Sequence, residues 1–541
     1  MGMRVTTGMS MNLYRYNLQN STINMNNSRN TVLTHRKFNS FGEAPAAATQ
    51  AWRLRRAIVN TDIYQSNNSD TYTRFNIAWA TMGQVTHELT DRDGRKSDIY
   101  AASDPTASGR TALGQVLRET AISVIQTMNG AKSGENFLFA GDDELYAPFS
   151  WGKDMWGRET LLYRGVDVNS GGVRLPTEEP DWGSIDAATG LPSRMPDADK
   201  IVTAGDQAWY DYYVAQAAYT KASDASDQLT SANQALAAAK AASDAAPGDA
   251  DLEAAVAEAQ AAVDEAQTAY DDAMTSLEEA MQTYEDDPDY TLNGLGNVDL
   301  KSPAEKFADD PITAQGPAKD SYDVPLAAYD ILNNRYDENV TRRDLVWAEY
   351  YVDQGNYTKL KRMSEETVPI DLGMGMLEDD KEKLVDGTYY NRALPGINML
   401  GFGVDEDGDP KNVCMIMLRL GEIYENCNPD TGSYDKDDPS GTSPKAMALR
   451  EEAMRLLDKL KAGQGNVTAE YVEISAKSSF LEQNQGRLDL QADYLNEQLV
   501  EIENVDLADA ITQFTWDYYC YSAALKVGTQ LLSQSLIDYM N

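Results

Sequence analysis

Histidine and cysteine are nearly absent: the 541 residues hold two of the first and three of the second. His35 and His87 leave little room for a histidine-ligated metal or for histidine acid–base chemistry. Cys414, Cys427 and Cys520 offer neither a disulfide framework nor the paired spacing of a zinc site. Their expected role is that of small buried hydrophobes. No apolar run reaches the roughly 20 residues that a membrane helix needs. The stretch MGMRVTTGMSMNLYRYNLQN lacks an apolar core and a small-residue cleavage site, so a conventional secretory leader is not expected. HExxH, the phosphate-cradling GxxxxGK and the GxSxG elbow are all missing. With 86 Asp and Glu, carboxylate pairs arise by chance and point nowhere. Enzymatic activity is therefore not expected, and no catalytic, cofactor or metal residue is assigned. A net charge of −40 disfavours nucleic acid and anionic membranes as partners.

Two short stretches invite chemistry and fail to supply it. VDEDGDP (404–410) suggests calcium through Asp405, Asp407 and Asp409. An EF-hand loop then needs Gly at its sixth position and an acid at its twelfth, where Pro410 and Ile416 stand. An acidic turn is expected instead. GFGVDEDG has Gly401 and Gly403 without a Rossmann context, and reads as a turn.

Charge is spread unevenly. Residues 1–60 carry eight Lys and Arg against Glu43 alone, whereas residues 482–541 carry ten acids against Arg487 and Lys526. Such opposite signs suggest that the two ends lie together, although solvated helix faces give the same composition.

Both ends also share an apolar period. Met11, Tyr14, Leu18, Ser21, Met25, Ser28 and Val32 recur at three- and four-residue spacing. So do Ala44, Ala47, Ala51, Leu54, Ile58, Thr61, Gln65, Asn68, Tyr72, Phe75, Trp79 and Met82, after a break at NSFGEAP. That spacing predicts long helices with a packing stripe. Leu488, Ala492, Leu495, Leu499 and Ile502 predict a third helix. Leu507, Ile511, Phe514, Tyr518, Tyr521, Leu525, Gly528 and Leu532 predict a fourth, with Asp506 as its cap. Another helix is expected over Thr111–Met128, facing inward through Leu113, Val116, Leu117, Thr120 and Val124. The fold expected is mainly α: an elongated antiparallel helical rod built from both chain ends.

The region between differs in character, being rich in Gly, Pro, Tyr and Asp. ETLLYRGVDV suggests a strand, and VCMIMLRL suits either strand or helix, so a mixed α/β insertion is expected. Within it, Ala222, Ala225, Leu229, Ala232, Leu236 and Ala239 form one seam. Leu252, Val256, Ala259, Val263, Ala266, Tyr270, Ala273, Leu277, Ala280 and Tyr284 form another. Pro247–Gly248 breaks the two apart, so residues 208–286 should make an antiparallel hairpin with arms of about 40 Å. Low-complexity disorder is the bland alternative.

Several stretches resemble the flagellin superfamily, and within it the subunits of the hook–filament junction. MRVTTGMSMNLYRYNLQNS is similar to that family's opening helix. VLTHRKFNSFGEAPAAATQAWRLRRAI resembles its basic-plus-Asn-Ser turn, Asp-Asp-Pro and Ala-rich helix, with Glu43-Ala44-Pro45 replacing the acidic pair. GENFLFAGDD (134–143) resembles a Gly-x-Tyr-x-Phe-x-Gly marker, and NVDLADAITQFTWDYYCYSAALKVGTQLLSQSLIDYMN the closing helix. The resemblance covers about residues 1–145 and 445–541. It implies axial-core helices at 1–43 and 505–541, rod halves at 44–141 and 441–504, and an outward insertion at 142–440. It further implies a structural, extracellular role in the bacterial flagellum after export through the type III machinery with its chaperone. Hook-associated protein 1 and flagellin would be axial neighbours in a homo-oligomeric ring. Subunit packing would use Met11, Tyr14, Leu18, Met25, Phe514, Tyr518, Tyr521, Leu525, Leu532 and Leu536. The bulk filament subunit, flagellin, is the alternative. A carboxylate-based glycosidase or an adhesin displayed by the insertion is the reading from another class.

Overall fold

The computed structural model describes residues 7–92, 107–308, 326–336, 340–379 and 383–539, apart from 178, 289, 293, 299 and 429. The protein is mainly helical, with a few small antiparallel sheets. In chain order come α1 (Thr7–Thr34), α2 (Pro45–His87), α3 (Ala107–Gly130), β1 (Lys132–Ser133) and β2 (Asn136–Phe137). Next are β3 (Phe149–Lys153), β4 (Glu159–Tyr163), β5 (Val166–Asp167), α4 (Ala204–Ala245) and α5 (Ala250–Glu285). Short helices α6 (Pro303–Ala308) and α7 (Leu326–Asn333) precede α8 (Arg342–Ser364), β6 (Pro369–Ile370) and β7 (Tyr390–Asn391). The chain closes with α9 (Gly396–Leu400), α10 (Val413–Glu425), α11 (Pro444–Glu503) and α12 (Leu507–Tyr539). No helix among the described residues is long and apolar enough to cross a membrane.

Contacts divide the chain into two compact units. The first comprises Met1–Thr73, Pro369–Arg392 and Ala476–Asn541. The second comprises Arg74–Val368 and Ala393–Ser475, so α2 and α11 contribute residues to both.

In the first unit, α2 and α11 meet along a polar seam. Thr61 and Asn68 are buried on α2, opposite buried Leu481, Asn484 and Leu488 on α11. The Asn68 amide donates to the Leu481 carbonyl and to Gln485, each at 2.9 Å, and its oxygen accepts from Asn484. Asn484 and Arg487 also donate to the Leu372 carbonyl beside the β6–β7 pair, both at 3.2 Å. Buried amides in a coiled-coil stripe fix register, because any slip leaves them unpaired. Tyr390 of β7 stacks flat on Phe480 of α11.

In the second unit the stripe on α2 becomes apolar, burying Phe75, Ala78, Met82, Val85 and, in a π-helical turn, Leu89. Trp79, expected in this stripe, is 40% exposed and stacks on Tyr471 of α11. Its ring is too wide for a line where Ala78 fits. Helix α3 buries Leu113, Leu117, Thr120 and Val124 as expected, whereas Val116 lies at the edge, 37% exposed. VCMIMLRL is helix, not strand: it lies in α10, whose Asn412 cap accepts from the Cys414 and Met415 amides. Helices α3 and α10 cross at glycines, where a Cβ on Gly421 would lie 2.9 Å from the Gly114 carbonyl oxygen.

ETLLYRGVDV does supply strands: β4 pairs with β3 and with β5. Arg164 and Gly165 both take positive φ between β4 and β5, the backbone twist that tight hairpins require. GENFLFAG spans the β1–β2 turn and buries Leu138, Phe139 and Ala140 completely. The α4–α5 hairpin turns at Pro247–Gly248, as expected. Its arms of 42 and 36 residues run about 63 and 54 Å at 1.5 Å per residue, longer than the sequence suggests.

Candidate assembly interface

Helices α1 and α12 pack against each other in the first unit. Met11, Tyr14, Leu18, Ser21, Met25, Ser28 and Val32 are all half-buried on α1, one stripe at helical spacing. Among the described residues of α12, those buried or half-buried are Ala510, Phe514, Asp517, Tyr521, Ser522, Ala524 and Gly528. Gly528 receives the Tyr14 hydroxyl where any side chain would stand. Farther along, the Ser28 hydroxyl donates to the Asp517 carboxylate. Gly528 thus lets the helices approach closely there, while Phe514 and Tyr521 are half-buried farther along the pair.

The ten residues expected to pack subunits are therefore divided. Met11, Tyr14, Leu18, Met25, Phe514 and Tyr521 are half-buried along the α1–α12 pair. Tyr518 and Leu525 are exposed, at 52% and 41%. The Leu532 and Leu536 side chains lie outside the described residues. Sequence spacing missed the outward Trp516 and Tyr519, 65% and 63% exposed. Cys520 is exposed between them and the rest of α12, not buried as expected; Cys414 and Cys427 are buried.

The joints between helices sit side by side. Lys37 N–H donates to the Glu503 carbonyl at 2.7 Å, and Val505 N–H donates to the His35 carbonyl at 3.1 Å. The α1–α2 and α11–α12 connections are thus tied by two backbone bonds. Glu43 organises the first of them, accepting from Asn39 N–H at 2.7 Å and from the Ser40 hydroxyl. The Asn39 amide and the Ser40 hydroxyl hold its carboxyl below the usual range. Of the opposite charges at the chain ends, Arg55 and Glu503 form an ion pair at 2.7 Å. Arg56 instead covers the Trp52 ring. Beside this joint lies a cleft of about 390 Å³, lined by Phe38, Phe41, Ala48, Trp52, Arg36 and Arg55 among others.

Buried carboxylates lie elsewhere, in the second unit. Glu349 and Asp353, one turn apart on α8, are each 3% exposed. Asp353 accepts from Gly171 and Val173 N–H, both at 2.9 Å. Glu349 accepts from Ala204 N–H at 2.7 Å and Trp156 Nε1 at 2.9 Å. These are clamps that fasten α8 to a loop and to the start of α4. Burial pushes Asp353 up to about 7, and raises Glu349, despite those donors. A folded-state pKa above the unfolded value stabilises the fold at low pH, a gain lost as pH rises through about 7. The second unit should therefore melt higher at pH 5 than at pH 8. Asp353→Asn should shrink that difference, which thermal melts across pH will measure; an equal difference in the variant refutes the assignment.

The Asp405, Asp407 and Asp409 carboxylates converge within 4.8 Å. The turn holding them has Val404 bridged to Pro410, and Asp405 Oδ1 accepts from the Asp407 and Asp409 amides. Lys459 Nζ lies 2.6, 2.8 and 2.5 Å from the three carboxylates, and Arg455 lies 2.7 Å from Asp409. The protein thus supplies its own cation. Burial opposes the ammonium charge, yet the three acids hold its pKa above the ordinary range. Lys459→Met should cost about 1–3 kcal/mol at pH 7, since unpaired acids are left together. Lys459→Arg, which keeps a cation beside the three acids, should lose less; denaturant melts of the two variants provide the check.

Compared with family models, curated proteins and solved structures, the chain finds no match.

Proposed function

We propose that this chain is a structural subunit of the bacterial flagellum, of the hook-associated protein 3 type, joining hook to filament. The observation that carries the reading is the packing of the chain's first and last helices against each other. That pair leaves Leu13, Tyr16, Trp516 and Tyr519 more than 60% exposed. Large apolar side chains left open on a helix pair suit a surface completed by neighbouring subunits. The flagellin-like motifs supply the rest. Pro45, which begins α2, and GENFLFAG at the β1–β2 turn favour a junction subunit over bulk flagellin. On this reading hook-associated protein 1 and flagellin are its axial neighbours, and the type III apparatus with a chaperone exports it.

The glycosidase alternative needs two carboxylates facing an open cleft. Glu349 and Asp353 are buried and occupied by N–H donors, which weighs against them. Immunogold labelling of intact flagella tests the proposal. One ring of label at the hook boundary supports it; label along the filament means flagellin, and label elsewhere rejects both.

A further inference from the structure

The cleft beside the helix joint and the outer face of α12 complement each other, although they do not meet within one chain. The exposed rings of Phe41 and Trp52 line the cleft, together with Ala48, Thr49, Arg36 and Arg55. Arg55 is paired with Glu503. The Arg36 guanidinium has no ion pair among the described residues. Among the described residues, none of α12 lines the cleft. Helix α12 instead runs along α1, with Asp517 at Ser28 and Gly528 at Tyr14.

Asp509, Trp516, Tyr519 and Cys520 fall on one outward stripe of α12. Asp509 precedes Trp516 by seven residues, which is two turns, or about 10 Å along the same face. This stripe thus offers an aromatic anchor with a carboxylate upstream. The cleft offers aromatic walls with an unpaired guanidinium. An indole between a ring and an arginine gains both stacking and cation–π attraction.

We propose that this cleft receives Trp516 of a second copy of the chain, with Asp509 of that copy meeting Arg36. This rests on the assembly reading above and names the surface through which one subunit holds the next. The contact is heterologous, a cleft on one copy and a helix face on the other. Such contacts propagate, closing into a ring when the rotation permits and continuing as a helical array otherwise.

The exposed Cys520 supplies a probe, because the other two cysteines are buried. In full-length Thr49→Cys protein, a short bismaleimide should join the introduced thiol to Cys520 of another copy as concentration rises. Trp516→Ala should reduce that adduct at least tenfold, and Cys520→Ser should abolish it. Arg36→Glu should weaken it, and adding Asp509→Arg should restore much of the loss. Circular dichroism confirms that each variant is folded. No adduct at concentrations where the protein assembles, or an adduct indifferent to Trp516→Ala, overturns the proposal. Immunogold placement at the hook boundary alongside that failure would leave the junction role standing with a different contact surface. Protein that stays monomeric at every concentration, with no label on flagella, defeats both.

Discussion

Ending the chain after Asp509 should abolish incorporation into flagella while leaving the melting of the second unit within about 2 °C of the full-length value. Helix α12 packs against α1, and the pair covers one stripe on each helix. Most helical stability in proteins comes from packing an amphipathic face rather than from propensity. In dilute monomer the pair should therefore exchange amide hydrogens readily, becoming protected when neighbouring subunits cover Tyr518, Tyr519 and Trp516. Ordering entropy is then met at the assembly step. Hydrogen exchange on both states is the direct measurement. Strong protection of residues 511–530 in dilute monomer would show that α1 alone holds the helix, and the idea would fail.

The second large effect concerns the crossing of α3 and α10. A Cβ on Gly421 meets the Gly114 carbonyl oxygen at 2.9 Å, and one on Gly114 meets the Gly421 carbonyl oxygen at 2.7 Å. Both obstacles are backbone, which cannot rotate aside. Gly421→Ala should then cost about 1–3 kcal/mol, since the helices must separate and leave their buried neighbours loosely packed. Gly421→Leu should cost more. Leu117, Leu420 and Tyr424, all nearly inaccessible, are the buried neighbours. A loss of about 3 kcal/mol corresponds to roughly 4 °C in a unit this large, at about 2.1 cal/mol/K of unfolding entropy per residue. An unchanged midpoint in Gly421→Leu would show that the two helices do not approach through these glycines.

Much of the helical organisation was legible, because one seam of a long helix repeats often enough to stand out. Every residue assigned to the α4–α5 seams is buried or half-buried, from Ala222 to Tyr284. The same reading misjudged α12. Phe514, Tyr521 and Gly528 do face inward, but Ile511, Tyr518 and Leu525 are exposed, and the unassigned Ala510 and Ala524 are less exposed than they are. Hydrophobic spacing ranks faces by bulk, whereas close helix approach selects small residues. Cys520 was misread for a related reason: a residue type's usual burial says nothing of which way its helix turns. The clamps at Glu349, Asp353 and Lys459 were invisible, since their partners come from distant parts of the chain. Each looked like one more charge among many until folding set it beside buried amides or a cluster of acids. The acidic turn at 404–410 was readable from its failed calcium spacing, but nothing local named Lys459 as its counterion.

The twin bonds between the His35–Lys37 and Glu503–Val505 segments carry a mechanical consequence. A helix joined to its neighbour by one short linker can swivel about every axis. Two linkers fastened in parallel behave as a door hinge, resisting twist while permitting a fold about the line between them. Helices α1 and α12 are therefore steered together, and torque applied to one reaches α2 and α11 through both straps. A subunit so built can yield to bending without letting its ends wind past each other.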